Sequence, residues 1–229
     1  MSASTLFFSL LGGVLHAVFW LWFWLREARL HPEPRSLMMA SFLGGMVVVL
    51  FALPLEKWIA NQFAANLALI IIGWAIVEEV LKYAASYSTA LRRRENDEPI
   101  DSLIYLITAA LGFAALENTL FLAGAFSKGG LASGLDLGVL RFIGATLLHV
   151  ISSGALGFFL ALGFYKRRTV KRIDRWAGLV AAIVLHALFN LFILKGAGSG
   201  LYTFTIFAFV WLAVILLLIG FEKVKQLKA

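Results

Sequence analysis

The chain has 229 residues, of which 61% are hydrophobic and 14% charged, against about a quarter charged in ordinary soluble proteins. So few charges cannot cover a water-facing surface, which excludes a soluble globular domain and a disordered chain and leaves one polytopic membrane domain. The lack of cysteine excludes a disulfide framework and a thiolate nucleophile, and the net charge of +7 reads as basic loops on one side of a bilayer, not as a nucleic-acid surface.

Apolar runs of ~20 residues, each long enough to cross a ~30 Å hydrocarbon core as a helix, recur along the chain. Seven spans are predicted: Ser4–Leu25, Leu37–Leu55, Gln62–Leu91, Ile100–Phe126, Gly138–Tyr165, Trp176–Leu194 and Leu201–Gly220. The first has no basic residue ahead of it and no small-residue cleavage pattern, so it reads as a permanent helix. It ends in Trp20, Trp22 and Trp24 ahead of Arg26, an expected aromatic belt at the interface. Spans three to five exceed what the bilayer requires, which predicts tilt or extension beyond the lipid. The runs are continuously apolar, not alternating, which excludes a transmembrane barrel. No repeat or long linker divides the chain, so the expectation is an all-α transmembrane bundle forming a single domain over residues 1–229.

The basic residues partition. Arg26, Arg29 and Arg35 follow span one, Arg92, Arg93 and Arg94 follow span three, and Lys166, Arg167, Arg168, Lys171, Arg172 and Arg175 follow span five, with Lys223, Lys225 and Lys228 in the tail. Only Lys57, Lys128, Arg141 and Lys195 fall on the other side, and Lys82 lies inside a span. The positive-inside rule then puts the N-terminus outside and the C-terminus in the cytoplasm, which requires an odd number of spans. A multi-pass membrane protein fits this pattern. The basic loops are most simply topology signals and anionic-lipid contacts.

Glu78, Glu79, Glu117, Lys82, His16, His149 and His186 all lie within apolar spans. Each ionisable group near the bilayer centre costs ~2.5–3.5 kcal/mol on the insertion scale, so these groups should pair or line a wet cavity. Counted from the cytoplasmic loops, Glu79, Glu117, His149 and His186 lie at depths of roughly 16–26 Å. Four helices thus bring polar groups to one layer. The spacing of Glu78 and Glu79 to Lys82 lets the ammonium sit between both carboxylates. His149 is followed at four by Ser153, His186 at four by Asn190, and Phe113 precedes Glu117 by four. Gly112, Gly144, Gly154 and Gly157 would let these helices approach closely.

Carboxylates and imidazoles together can activate water, directly or through a divalent metal. No HExxH or GxGD motif is present, and no nucleophile elbow surrounds Ser152 and Ser153. In order along spans three to six stand Glu78-Glu79-Val80-Leu81-Lys82, Asp101-xxx-Tyr105, Gly112-Phe113-Ala114-Ala115-Leu116-Glu117-Asn118, His149-xxx-Ser153 and His186-xxx-Asn190. This set closely resembles the PrsW family, bacterial and archaeal intramembrane proteases related to the type II CAAX prenyl proteases. The resemblance implies cleavage of a membrane-anchored protein, of which an anti-sigma factor cut at site one is the best-known case.

Carried over by position, Glu78 and Glu79 would be the essential pair, one of them activating water, within a catalytic core of roughly residues 62–195. Glu117 stands where the CAAX proteases carry the histidine of FxxxH. By the same analogy His149 with Ser153, or His186 with Asn190, would stabilise the oxyanion, with Lys82, Phe113 and Asn118 in support. Glu79, Glu117, His149 and His186 are the expected ligand candidates for a divalent metal, and their donor types suit Zn or Mn. His16, outside the motifs, reads as a satisfied interior histidine, and Asp101 and Tyr105 as residues that cap and orient span four. Two other readings use the same polar layer: a proton-coupled transporter or channel with a Glu/His relay, and a non-catalytic scaffold that binds partner helices.

Overall fold

The computed structural model describes residues 2–26, 32–196 and 200–228. Arg29 lies outside these, as does the side chain of Lys195. The described residues form seven α-helices: α1 Ala3–Leu25, α2 Arg35–Gln62, α3 Leu67–Ser86, α4 Pro99–Leu140, α5 Thr146–Leu162, α6 Arg168–Gly196 and α7 Gly200–Lys225. Single π-type turns, Tyr87–Leu91 and Arg141–Ala145, follow α3 and precede α5.

Local chemistry sets the helix starts. Ser2 caps α1 by accepting from the Thr5 amide at 3.1 Å, and Asn66 caps α3 by accepting from the Leu69 amide at 3.2 Å. At α4 the Asp101 carboxylate accepts from the amides of Asp97 (2.9 Å) and Glu98 (2.7 Å), with Pro99 opening the helix. Asp101 therefore caps this end, as its position in the sequence leads one to expect. Tyr105, one turn on, donates to Glu33 and ties the approach to α2 against α4.

Burial pushes the Glu33 carboxyl from its ordinary 4.5 up to about 8, with Asp101 beside it adding to the rise and the Tyr105 hydroxyl opposing it. The folded protein thus holds this proton more tightly than the unfolded chain. The stability it contributes is complete below about pH 4 and is lost as pH rises towards 8. Glu33→Gln, which fixes the neutral form, is expected to flatten the fall in thermal stability between pH 5 and 8, as measured in detergent.

The first half of α4 is the axis of the bundle: from Pro99 to Ala115 every residue is buried. Neighbouring helices meet it backbone to backbone. A Cβ on Gly112 would fall 1.9 Å from the Phe42 carbonyl oxygen, and one on Gly45 would fall 1.9 Å from that of Ala109, so α2 and α4 touch through reciprocal glycines. On the opposite flank Gly157 of α5 rests 2.8 Å from Leu103 Cα by the same measure. Gly144 and Gly154, also expected to permit close approach, instead face side chains, those of Phe207 and Leu217.

Five stretches of the described residues are long and apolar enough to cross a membrane: Ala3–Leu25, Arg35–Gln62, Pro99–Leu162, Arg168–Ile193 and Phe204–Lys225. Seven spans were expected, and two physical features account for the difference. The expected fourth and fifth spans form one 64-residue stretch, broken where Gly130 adopts φ 70°, a left-handed conformation that glycine tolerates. Beyond that break the chain folds back, so that Gly157 lies beside Leu103 and Thr146 beside Asn118. The expected third span, α3, carries Glu78, Glu79 and Lys82, which interrupt its apolar character.

The aromatic belt requires correction. Trp20 and Trp24 lie four apart on one face of α1 and are buried, against Phe142 and Trp211 and against Phe221 respectively. Trp22 projects from the opposite face, with the Arg26 guanidinium 4.9 Å above its ring. His16 also differs from expectation. It packs against Phe142 at 5.1 Å, and its buried Nδ1 has no hydrogen-bond partner among the described residues.

Candidate active site

Helices α3, α4, α5 and α6 bring the ionisable groups into one continuous network. On α3 the Lys82 ammonium lies 2.5 Å from Glu79 Oε1 and 3.8 Å from Glu78 Oε2, between the two carboxylates as their spacing predicts. All three side chains are buried.

The neighbouring acids have unequal surroundings. Glu79 is saturated. Its Oε1 faces Lys82 at 2.5 Å, His186 Nδ1 at 2.7 Å and Ser152 Oγ at 2.9 Å, and its Oε2 accepts from Ser153 Oγ at 2.9 Å. Ser153 is thus engaged with Glu79, although its spacing from His149 places it one turn along the same face. In contrast, Glu78 Oε2 is buried with no hydrogen-bond partner. It lies 3.6 Å from His186 Nε2 and 3.7 Å from His149 Nδ1.

Hydrogen-bond direction assigns the imidazole protons. An ammonium only donates, so Nδ1 of His149, 3.1 Å from Lys82 Nζ, accepts. The proton of His149 then sits on Nε2, which donates to Glu117 Oε2 at 3.1 Å. A carboxylate only accepts, so His186 carries its proton on Nδ1, towards Glu79, and turns the Nε2 lone pair to Glu78. The two rings lie 5.3 Å apart at 75°, and Phe113 walls the site, its ring 5.4 Å from His149 and 5.0 Å from Lys82 Nζ.

Glu117 closes the network on its outer side. It pairs with Arg141, which also donates to Asn118 Oδ1 at 2.5 Å, and Asn118 in turn donates to Thr146 Oγ1 at 2.9 Å. Arg141 opens the π-type turn ahead of α5, and Thr146 donates to the Arg141 carbonyl at 2.9 Å, which fixes the turn over Glu117.

A chamber of about 410 Å³ opens on this cluster. Glu78, His149, His186 and Asn190 line it, along with Phe113, Glu117 and Arg141. Its wall includes Val49, Ala52 and Glu56 of α2, beyond the 62–195 core marked by the motifs. Asn190 thus shares the chamber with His186, one turn away.

Among the described residues, Glu78, His149 and His186 form a group able to hold a metal ion, with ligand atoms within 4.8 Å of one another. This set differs from the sequence expectation, in which Glu79 and Glu117 accompanied the histidines. Glu79 is occupied by an ammonium, an imidazole and two hydroxyls, and Glu117 by Arg141 and His149. The buried carboxylate oxygen without a hydrogen bond belongs to Glu78. Reasoning from sequence missed Arg141 and Glu56. A signal for Arg141 was present: a cation inside the expected fifth span, which has no acid of its own, while the third and fourth spans hold Glu78, Glu79 and Glu117 against Lys82.

The family model of the PrsW family intramembrane metalloproteases matches residues 33–219. The chain belongs to that family. It is similar to Protease PrsW of Geobacillus kaustophilus (strain HTA426), with 27% identity over 86% of this chain and 81% of that protein. Protease PrsW of Clostridioides difficile (strain 630) is 24% identical over 89% of this chain and 85% of the relative. Protease PrsW of Bacillus subtilis (strain 168) is 24% identical over 78% of this chain and 79% of the relative. No solved structure matches the chain. The protein is a multi-pass intramembrane protease, and the transporter reading has no support among these relatives.

Proposed function

We propose that this protease cuts a peptide bond of a membrane-anchored protein with water activated at Glu78, His149 and His186. The observation that carries this reading is the buried Glu78 Oε2, without a hydrogen bond and within 3.7 Å of one nitrogen on each histidine, all three residues lining the chamber.

Two features fit a divalent metal held by these three residues. Ligands 2.0–2.1 Å from a tetrahedral ion are separated by roughly 3.4 Å, close to the 3.6 and 3.7 Å found here. Among the described residues, Lys82 and Arg141 match Glu79 and Glu117, so the Glu78 carboxylate, counted as ionised, keeps a negative charge that a divalent ion would meet. Such an ion, of the Zn or Mn class, supplies Lewis acidity and lowers the pKa of bound water.

The chain's own residues do the rest of the work. Glu79 holds His186 in the tautomer that leaves Nε2 free, a carboxylate–histidine relation that fixes ring orientation and raises ligand basicity. Glu117 holds His149 in the same way. Lys82 donates to His149 Nδ1, and loading that nitrogen requires Lys82 to rely on the two glutamates instead. Asn190, which lines the chamber one turn from His186, would donate its amide to a developing oxyanion.

The reading extends to topology. Counting the reversal at Gly130 as two crossings and α3 as a third gives seven, with the basic loops cytoplasmic and the N-terminus outside the cell membrane. The motif-bearing residues 62–195 act within a single domain, and an anti-sigma factor cut at site one is the substrate that the family resemblance favours.

Metal analysis of the purified protein, paired with cleavage of a single-span substrate, tests the proposal. About one equivalent of Zn or Mn per chain is expected, with activity lost on chelation and restored by the metal. His186→Ala should purify with the metal depleted. Full activity in metal-free protein would reject the metal and leave a purely glutamate-based route.

A further inference from the structure

We infer that Glu56 is a specificity residue of the chamber, receiving the cationic side chain of a substrate lysine or arginine about two residues from the bond that is cut. The inference rests on the peptide-cleaving reading above and adds to it a class of substrate.

Position is the first argument. Trp74 Nε1 donates to the Glu56 carbonyl at 3.0 Å, which sets Glu56 level with Trp74 across the α2–α3 pair. Trp74 precedes Glu78 by four residues, or ~6 Å along a helix. An extended peptide advances ~3.3 Å per residue. A substrate strand with its carbonyl at Glu78 thus brings a side chain two residues away to the level of Glu56. Both glutamates line the same chamber.

Charge is the second argument. Glu79 is matched by Lys82, and Glu117 by Arg141. The Glu56 carboxylate, half-buried in the apolar wall, makes no hydrogen bond or ion pair with any described residue. Lys57 is its neighbour in sequence, and adjacent residues do not share a helix face. A substrate lysine or arginine would supply the cation. A neutral side chain would leave the carboxylate partly desolvated without a partner, and an acidic one would be repelled.

The test uses full-length protein in detergent with a pool of single-span peptides randomised around the cut, read by mass spectrometry. Wild type should show at least tenfold enrichment of Lys or Arg about two residues from the cut on one side. Glu56→Gln should bring that ratio close to one, and Glu56→Lys should shift it towards Asp or Glu. If Glu56→Gln does not fold, Glu56→Asp, with its shorter reach, should lower the ratio. No enrichment in wild type, or enrichment untouched by these variants, overturns the inference. Binding of a Lys-bearing and an Ala-bearing peptide is measured alongside by thermal shift. Lys-selective binding without cleavage of any peptide sinks the peptidase reading and keeps the Glu56 assignment, whereas cleavage without Lys preference does the reverse.

Discussion

Glu78→Gln should lower cleavage by at least ~10³-fold while barely moving the thermal unfolding transition, whereas Glu79→Gln should damage both. The residues are adjacent in sequence and equally buried, so burial cannot produce the contrast. Partners produce it. Glu78 Oε2 makes no hydrogen bond and meets Lys82 only at 3.8 Å. An amide there removes the charge facing the histidines and disturbs few bonds. Glu79 bonds Lys82, His186 and two serines. Its amide would remove the close counter-charge of a fully buried ammonium, and breaking such a pair costs about 3–5 kcal/mol. It would also place donors against donor hydroxyls. Activity and unfolding temperature of both variants, measured on the same preparations, check this. Equal loss of stability in the two would contradict the division of labour.

Helical periodicity decides which parts of this site could be read from the sequence. Relations along one helix were legible: Lys82 sits between Glu78 and Glu79 as three- and four-residue spacings require. The pooling of acids and imidazoles in one layer followed from depth counted from the basic loops. Relations across helices were not legible, because uniformly apolar spans do not reveal which face meets a neighbour. The metal-ligand candidates therefore included Glu79, although only the structure shows its oxygens occupied and Glu78 Oε2 without a hydrogen bond. Proximity to Arg26 makes Trp20 and Trp24 read as interfacial, whereas their i, i+4 relation puts both on one buried face of α1. Gly130 breaks the stretch formed by two expected spans and turns the chain back, by a backbone conformation that composition does not announce.

Arg141 carries the second large effect. Arg141→Met should cost about 3–5 kcal/mol, the range for removing one partner of a buried ion pair, because Glu117 then keeps its charge with only an imidazole beside it. Both side chains are mostly enclosed, Arg141 at 12% exposure and Glu117 at 18%, so solvent would replace the guanidinium poorly. Glu117→Gln alone leaves Arg141 with the Asn118 contact and a neutral amide. Combining the two substitutions removes both charges and should recover about 2–3 kcal/mol relative to the sum of the singles, measurable in a double-mutant cycle on unfolding in detergent. Cleavage should not recover with stability. Glu117 accepts from His149 Nε2 and thereby presents Nδ1 to Glu78, and neither methionine nor glutamine restores that charged acceptor. A double variant as stable as wild type yet still inactive would thus separate what the Arg141–Glu117 pair does for the fold from what Glu117 does for the imidazole. Additive stability losses would show that the two side chains act independently.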